Sequence, residues 1–409
     1  MNILLTSLIV PSAPSGVRVH YERLAAQLRE QGHTVTLVTQ DSLRPMLRRA
    51  IGVVRRGLGL LLGKQVGIEL TQAAEIFFAI DRSVRYDVVN AQDVCSGWAA
   101  RRALRDQAPV VVTAHFNDHP AEELIHQLGF TGFTAKFLHR WYNFLLSRTR
   151  FFIGVSDYVR QRSLPWLAPD ARHTVVYNGL AMHQPARPLA PGTPDLRQQF
   201  AGRPIILNVG QLEARKNQRY LVQAAAELKR QQQEFALVLV GQGEDEALLR
   251  QMIADADLGN HVFLLGYHRD IMGLLRSADL YVHAALRENC PLVLIEAMAA
   301  QCPAVALAVG GIPELLADTP DALVSPTAAP SVMAERLGSL LSSAAKRQDL
   351  QQKQHARGMQ HFDAAVMLRD TLAFFDLARR SNSAQPQASL TAPSIQPTYT
   401  GTLSTKERV

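Results

Sequence analysis

Cysteine is scarce in this chain: three in 409 residues, at Cys95, Cys290 and Cys302. The number is odd and the spacing fits no metal-ligand pattern, so a disulfide framework and a cysteine metal site are set aside, and a reducing compartment is expected. Long apolar runs are missing too. No stretch reaches the roughly 18–20 residues that a helix needs to span a bilayer. The opening MNILLTSLIVPSAPSG has no basic region ahead of its apolar residues, and reads as a first strand and its loop instead of a secretory leader. The expected location is therefore cytoplasmic. Aromatics make up only 7%. With no nucleic-acid-binding module and no aromatic platform beside the basic residues, nucleic acid is not an expected partner.

What the chain does have is length, alternation and an uneven charge. At 409 residues it is too long for one ordinary core and suits two domains. A composition of 47% hydrophobic and 19% charged residues is that of a globular protein. Residues 1–185 hold 21 Lys and Arg against 14 Asp and Glu, while the remainder holds 22 of each. The whole excess of +7 thus lies in the first half and points to an acidic partner for that half. Arg44, Arg48, Arg49, Arg55, Arg56 and Lys64 interleave with Ile51, Val53, Val54, Leu58 and Leu60 to Leu62. This segment reads either as an amphipathic stretch on an anionic membrane surface or as a basic surface helix packed on its own domain. Gly52, Gly57, Gly59 and Gly63 count against a helix.

Strand and helix patterns alternate, which implies parallel, doubly wound sheets. Strands are expected at 2–10, 34–39, 88–90, 110–113, 151–155 and 174–177, with a helix at 19–31. Four prolines between Ala181 and Pro194 make a stiff connection. The alternation then restarts with strands at 204–209, 237–240 and 264–266 and a helix at 218–230. The expected division is a first domain at 1–180, a linker at 181–200, a second domain at 201–360, a helix at 361–380 and a disordered tail at 381–409.

Residues 287–314, RENCPLVLIEAMAAQCPAVALAVGGIPE, carry the most chemistry. Glu288 and Glu296 have seven residues between them, with a helix start among those seven. Asn289 suits an N-cap and Pro291 the first helical positions. Glu296 would lie about two turns inside, roughly 9–12 Å along the axis. That length fits a diphosphate sugar: one carboxylate for a sugar hydroxyl, the helix end for phosphates, the other carboxylate for a ribose diol. The plainer alternative is one solvent-facing charge and one satisfied buried one. In Gly310-Gly311-Ile312-Pro313-Glu314, the glycine pair would let backbone approach a ligand and its amides cradle anions.

Together the E-x7-E element, the strand expected at 304–308 and the Gly-Gly-Ile-Pro-Glu turn resemble the donor site of the family 4 glycosyltransferases, over residues 1 to about 380. The resemblance implies the α/β GT-B fold, with two Rossmann-like domains facing a central cleft, the first for the acceptor and the second for the nucleotide sugar, and with the 361–380 helix crossing back onto the first domain. It also implies retention of configuration, a UDP- or GDP-linked sugar as co-substrate, and no cofactor or metal. The donor-binding positions would be Gly16, Gly210, Gln211, Asn289, Cys290, Leu292, Val293 and Glu296. Two departures stand out. Ser15 replaces the first glycine of the N-terminal loop, leaving Gly16 and His20. After Gly210 the family presents an Arg and, five residues later, a Lys, both on the donor diphosphate. Lys216 matches the Lys, Gln211 replaces the Arg, and Arg215 offers a cation from another backbone position.

In the catalytic scheme the resemblance implies, Lys216, Arg215 and the helix N-terminus stabilise the departing diphosphate. Glu288 holds sugar hydroxyls and Glu296 the ribose. His115, at a strand end, matches a histidine near the transferring sugar. His119 follows four residues later, but Asn117 and Pro120 oppose the helix that a His-x3-His zinc pair needs. Asp157 reads as a helix cap and Asn178-Gly179 as a turn. Asp255-Ala256-Asp257 spells the D-x-D metal motif of the other glycosyltransferase fold, yet falls in a helical pattern and reads as surface. The expected acceptor is lipid-linked or a glycan, in polysaccharide or glycolipid assembly at the inner membrane face. Two other readings stay open: a sugar-nucleotide epimerase or hydrolase, and a non-catalytic sugar-nucleotide binder that Gln211 would allow.

Overall fold

The computed structural model describes residues 1–12, 15–183 and 188–383; the tail expected to be disordered lies, from 384 on, outside the described residues. Among the described residues, twelve strands form two parallel six-stranded sheets. The first contains β1 (Asn2–Ser7), β2 (Thr34–Thr39), β3 (Val88–Ala91), β4 (Val110–Ala114), β5 (Phe151–Gly154) and β6 (Arg172–Val175), in the order β2-β1-β3-β4-β5-β6. The second contains β7 (Ile205–Val209), β8 (Ala236–Val240), β9 (Val262–Gly266), β10 (Leu280–His283), β11 (Ala304–Leu307) and β12 (Leu323–Val324), in the order β12-β11-β10-β7-β8-β9. These are two doubly wound sheets, the α/β architecture the alternation implies. Each strand order reverses once, between β1 and β3 in the first sheet and between β7 and β10 in the second. Loops leaving a sheet at such a reversal splay apart and open a crevice.

The sequence explains the layers. VVVTA and ALVLV are continuous apolar strands, buried on both faces as parallel strands must be. In the first sheet Leu4, Val89, Val112 and Phe152 face one core, while Ile3, Leu5, Val88, Val111 and Ile153 face another. The second core also takes Met367, Leu368, Phe374 and Phe375, because the helix Ala364–Ser383 lies back across the first sheet. This helix begins three residues later than expected, where Asp363 Oδ1 accepts from Ala365 N at 2.8 Å. Before it, Ala344–His361 forms a helix that its polar, Gln-rich composition concealed.

Other boundaries move for local reasons. β1 stops at Ser7 because Leu8 N turns to Asp93 Oδ2 at 2.9 Å and leaves the ladder. The first helix, Gly16–Glu30, starts early because Ser15 Oγ accepts from Val17 N. Asp255 ends a helix and Asp257 sits beyond it at φ 51°, paired with Lys229, so the D-x-D triplet belongs to a surface turn and not to a helix interior. Residues 45–62 do form a helix despite its glycines. Gly59 packs against Gly67 of the following helix, Lys64–Ala79, where a Cβ on Gly67 would meet Arg55 O at 2.7 Å and Gly59 N at 2.8 Å.

Candidate functional site

The reversal in the second sheet brings together the loops after β7 and β10. The first carries Gly210, Gln211, Arg215 and Lys216, and the second carries Glu288. Lys216 Nζ bonds Glu288 Oε1, and Arg215 Nη1 and His283 Nε2 each approach the same oxygen at 3.5 Å. His283 Nδ1 meets the Tyr281 hydroxyl at 2.8 Å. With Tyr281 donating there, Nε2 carries the ring proton and faces the carboxylate. Burial raises the Glu288 carboxyl, but the His283 contact and the Lys216 charge outweigh it and hold the group down at about 2. Burial also lowers His283, so the ring is neutral beside an ionised carboxylate.

Glycines let these loops pack. A Cβ on Gly310 would strike Glu288 O, and one on Gly311 would strike Asn289 O. Gly311 N donates to Glu288 O at 3.2 Å. The Gly-Gly turn therefore buttresses the Glu288 loop from behind, where the sequence suggested an anion cradle. Gly241 and Gly243 likewise support Gly210 and Leu212.

The helix after this loop runs Leu292–Ala299, with Pro291 at its cap position. Asn289 does not cap it. Its Oδ1 accepts from Ser156 Oγ and its Nδ2 donates to Phe116 O at 2.9 Å, both in the first domain. Cys290 is buried, and its carbonyl accepts from Asn178 Nδ2 at 2.9 Å. Because the helix starts at Leu292, Glu296 lies four residues past its first residue, about 6 Å along the axis instead of two turns. Burial raises the Glu296 carboxyl and Arg23, at 3.4 Å, opposes that shift. Val293 and Leu292 are half-buried at the helix start, and Leu292 Cδ1 lies 3.6 Å from where a Gly16 Cβ would be. Two helix N-termini, at Gly16 and Leu292, thus meet across the domain boundary.

Gln211 is exposed, and its carbonyl accepts from Gln218. Arg215 does not take over as a free cation: it pairs with Glu213 at 2.8 Å besides Glu288. His115 stands at the end of β4, Nε2 at 2.9 Å from Gln92 Oε1, its ring edge-on to His20 with centroids 4.8 Å apart. Burial holds both rings down, His20 to about 4 and His115 well below the usual range. His119 is not its partner. It caps the helix Pro120–Leu128 and meets Asn143. Ser156, not Asp157, caps the helix Asp157–Ser163.

Sequence reasoning passed over Arg23, Gln92, Ser156 and His283, and placed Glu314 only within a turn offered to a ligand. Glu314, last of the Gly-Gly-Ile-Pro-Glu turn, reaches into the first domain and accepts from Asp157 N at 2.7 Å, Tyr158 N at 2.6 Å and the Tyr177 hydroxyl at 3.0 Å. A carboxylate directly after a Pro turn was the one available signal.

Residues 14–183 match the family described as Glycosyltransferase Family 4, and residues 196–357 match Glycosyl transferases group 1. The chain is 25% identical over 314 residues to the GPI3 subunit of phosphatidylinositol N-acetylglucosaminyltransferase from Saccharomyces cerevisiae, covering 74% of this chain and 66% of that one. It is 34% identical over 144 residues to the amylovoran biosynthesis glycosyltransferase AmsK of Erwinia amylovora, covering 33% and 34%. The chain thus spans less than two thirds of the length of these relatives. Among solved structures, Anabaena HepE in complex with UDP superposes with a TM-score of 0.66 at 20% identity, covering 92% of this chain and 100% of that one.

Proposed function

The chain belongs to the family 4 glycosyltransferases, and from that premise we propose that it moves a sugar from a nucleoside-diphosphate donor to a lipid-linked or glycan acceptor, retaining configuration and without a metal. The observation that carries this reading is the meeting of Lys216 and Glu288 at the second sheet's reversal, beside the N-terminus of the Leu292–Ala299 helix. The chemical difficulty is charge growing on the departing phosphate oxygen. Lys216 and the amides opening that helix stabilise it, fixed before reaction by the Glu288 contact and the packed glycines. The contacts from Lys216, Arg215 and His283 fall on Oε1 of Glu288, so Oε2 is the oxygen assigned to sugar hydroxyls. Glu296 takes the ribose diol, sharing its carboxylate with Arg23. His115 contacts the transferring sugar, and the acceptor hydroxyl attacks on the face that the diphosphate vacates.

UDP is favoured as the nucleotide because HepE, which shares the fold, was solved with it. The link to amylovoran synthesis in AmsK and the basic first domain support an acceptor in polysaccharide or glycolipid assembly at an anionic membrane. No helix among the described residues is long and apolar enough to cross a membrane; the 45–62 helix instead exposes Met46, Arg49, Val53, Arg56 and Leu60 along one stripe. Such a stripe suits a peripheral contact, basic residues to headgroups and apolar ones to the acyl boundary. The deciding experiment measures nucleotide release from UDP-, GDP- and ADP-sugars in EDTA, with and without membrane lipid extract. Release from one donor only when lipid is present is the expected result. No release from any donor would sink the reading.

A further inference from the structure

A chain of buried amides runs from the middle of the first sheet to His115. Asn90 and Gln92 are at most 3% exposed, and Thr113 is equally buried. Asn90 Nδ2 donates to Thr113 Oγ1 at 2.9 Å and lies 3.4 Å from the carbonyl of Val111. A carbonyl only accepts, so the Asn90 atom facing it is the nitrogen, and Asn90 Oδ1 points the other way. Gln92 Nε2 donates to that oxygen at 2.6 Å. Gln92 Oε1 is therefore the atom 2.9 Å from His115 Nε2, and an amide oxygen can only accept. The backbone carbonyl of Val111 thus sets, through two amides, which ring nitrogen of His115 carries the proton.

We infer that Gln92 is a positioning residue which fixes His115 as the Nε2–H tautomer and leaves Nδ1 as a hydrogen-bond acceptor for a substrate hydroxyl. The inference rests on the proposed role of His115 at the transferring sugar. It also restricts that role. A neutral ring with its proton committed to Gln92 cannot give a proton to the leaving phosphate; it orients a hydroxyl that donates to it. His20, edge-on at 4.8 Å, favours the same state, since two adjacent imidazoliums would repel in a buried site. A sugar presenting an ether or a carboxylate there would find acceptor against acceptor and be rejected.

The test is a long-range 1H–15N correlation spectrum of the full chain labelled with 15N-histidine, with His115 identified by its loss in His115→Gln. The wild type should show the Nε2–H pattern alone at neutral pH. Gln92→Met, close in volume and with only a weak thioether acceptor in place of the amide oxygen, should lose that single tautomer and populate the Nδ1–H form. An Nδ1–H ring in the wild type overturns the inference without need of any variant, as does a tautomer unmoved in a folded Gln92→Met. The nucleotide-release assay separates the two levels of argument. An inactive protein with an Nε2–H ring would sink the transferase reading and leave the tautomer assignment standing, and an active protein with an Nδ1–H ring would do the reverse.

Discussion

Burial alone would raise the Glu288 carboxyl, yet His283 and Lys216 bring it to about 2, below its ordinary value of 4.5. A carboxylate depressed on folding adds stability that is fully present above the unfolded value and is lost as pH falls through the folded one. The difference is worth on the order of 3 kcal/mol. Wild-type urea midpoints should therefore decline as pH falls through the window between these two values. Glu288→Gln should flatten that part of the profile, and an unchanged slope would show that the charge is not held by these partners. The same variant should also lower turnover more than donor affinity. At this scale the sequence displayed both carboxylates and Lys216, because local patterning alone places Lys216 and Glu288 on loops that follow strands and Glu296 on a helix. It hid His283, whose buried neutral ring reaches Glu288 at 3.5 Å only once the loop after β10 is folded, and Arg23, which meets Glu296 from the other domain. A contact made by folding across 273 positions, as between Arg23 and Glu296, leaves no local period to read.

At the scale of elements, Glu314 joins a turn of the second domain to the first turn of the helix Asp157–Ser163. Its carboxylate takes two free amides at that helix N-terminus, which is where a negative charge is favoured. Glu314→Ala should cost about 2 kcal/mol, the size of a charged cap, measured as a shift in denaturation midpoint. A shift within about 0.5 kcal/mol, the scale of ordinary surface changes, would mean that the clamp is idle. The sequence presented this glutamate as part of a ligand motif, because a Gly-Gly turn looks alike whether its backbone meets a phosphate or another loop. The 45–62 helix shows the reverse limit. Its glycines argue against a helix in isolation, but Gly59 is the surface on which Gly67 packs, so tertiary contact overrides propensity. Its arginines also divide in a way no sequence shows: Arg55 turns inward to buried Glu75 at 2.7 Å, while Arg49 and Arg56 stay exposed. Replacing Arg49, Arg56, Leu60 and Leu61 with Ser should abolish flotation with anionic vesicles and leave the melting midpoint nearly unchanged. Replacing Arg55 should instead destabilise the fold, since it strands the charge of Glu75. Wild-type protein that ignores such vesicles would dispose of the membrane contact.

For the whole molecule, the relation of the two sheets depends on two strands of chain that cross between them side by side. Leu180 N donates to Phe362 O at 3.0 Å, Ala364 N to Leu180 O at 3.1 Å, and Met182 N to Asp363 Oδ2 at 3.0 Å. Beyond this crossing the Ala364–Ser383 helix covers a face of the first sheet, so the last described helix closes the core that β1 opened. The alternation of strands and helices announced both sheets from sequence, since apolar runs separated by amphipathic stretches admit few other folds. The alternation does not show the crossing, which only the resemblance implied and whose enabling residue is a single glycine. A Cβ on Gly179 would stand 2.7 Å from Met367 Cβ and 3.0 Å from Ala364 Cα, atoms close to or within backbone that cannot rotate away. Gly179→Val must therefore push the returning helix off the interdomain segment, at an overpacking cost of about 1–3 kcal/mol. Because Asn178 next to it holds Cys290 O, and Cys290 lies two residues from Glu288, the displacement should reach the proposed donor site. The expected outcome is a lower melting midpoint, a larger radius of gyration in solution scattering, and weaker donor binding in the same variant. A variant that melts early but binds donor as tightly as wild type would show that the crossing serves stability alone and does not set the geometry of the cleft.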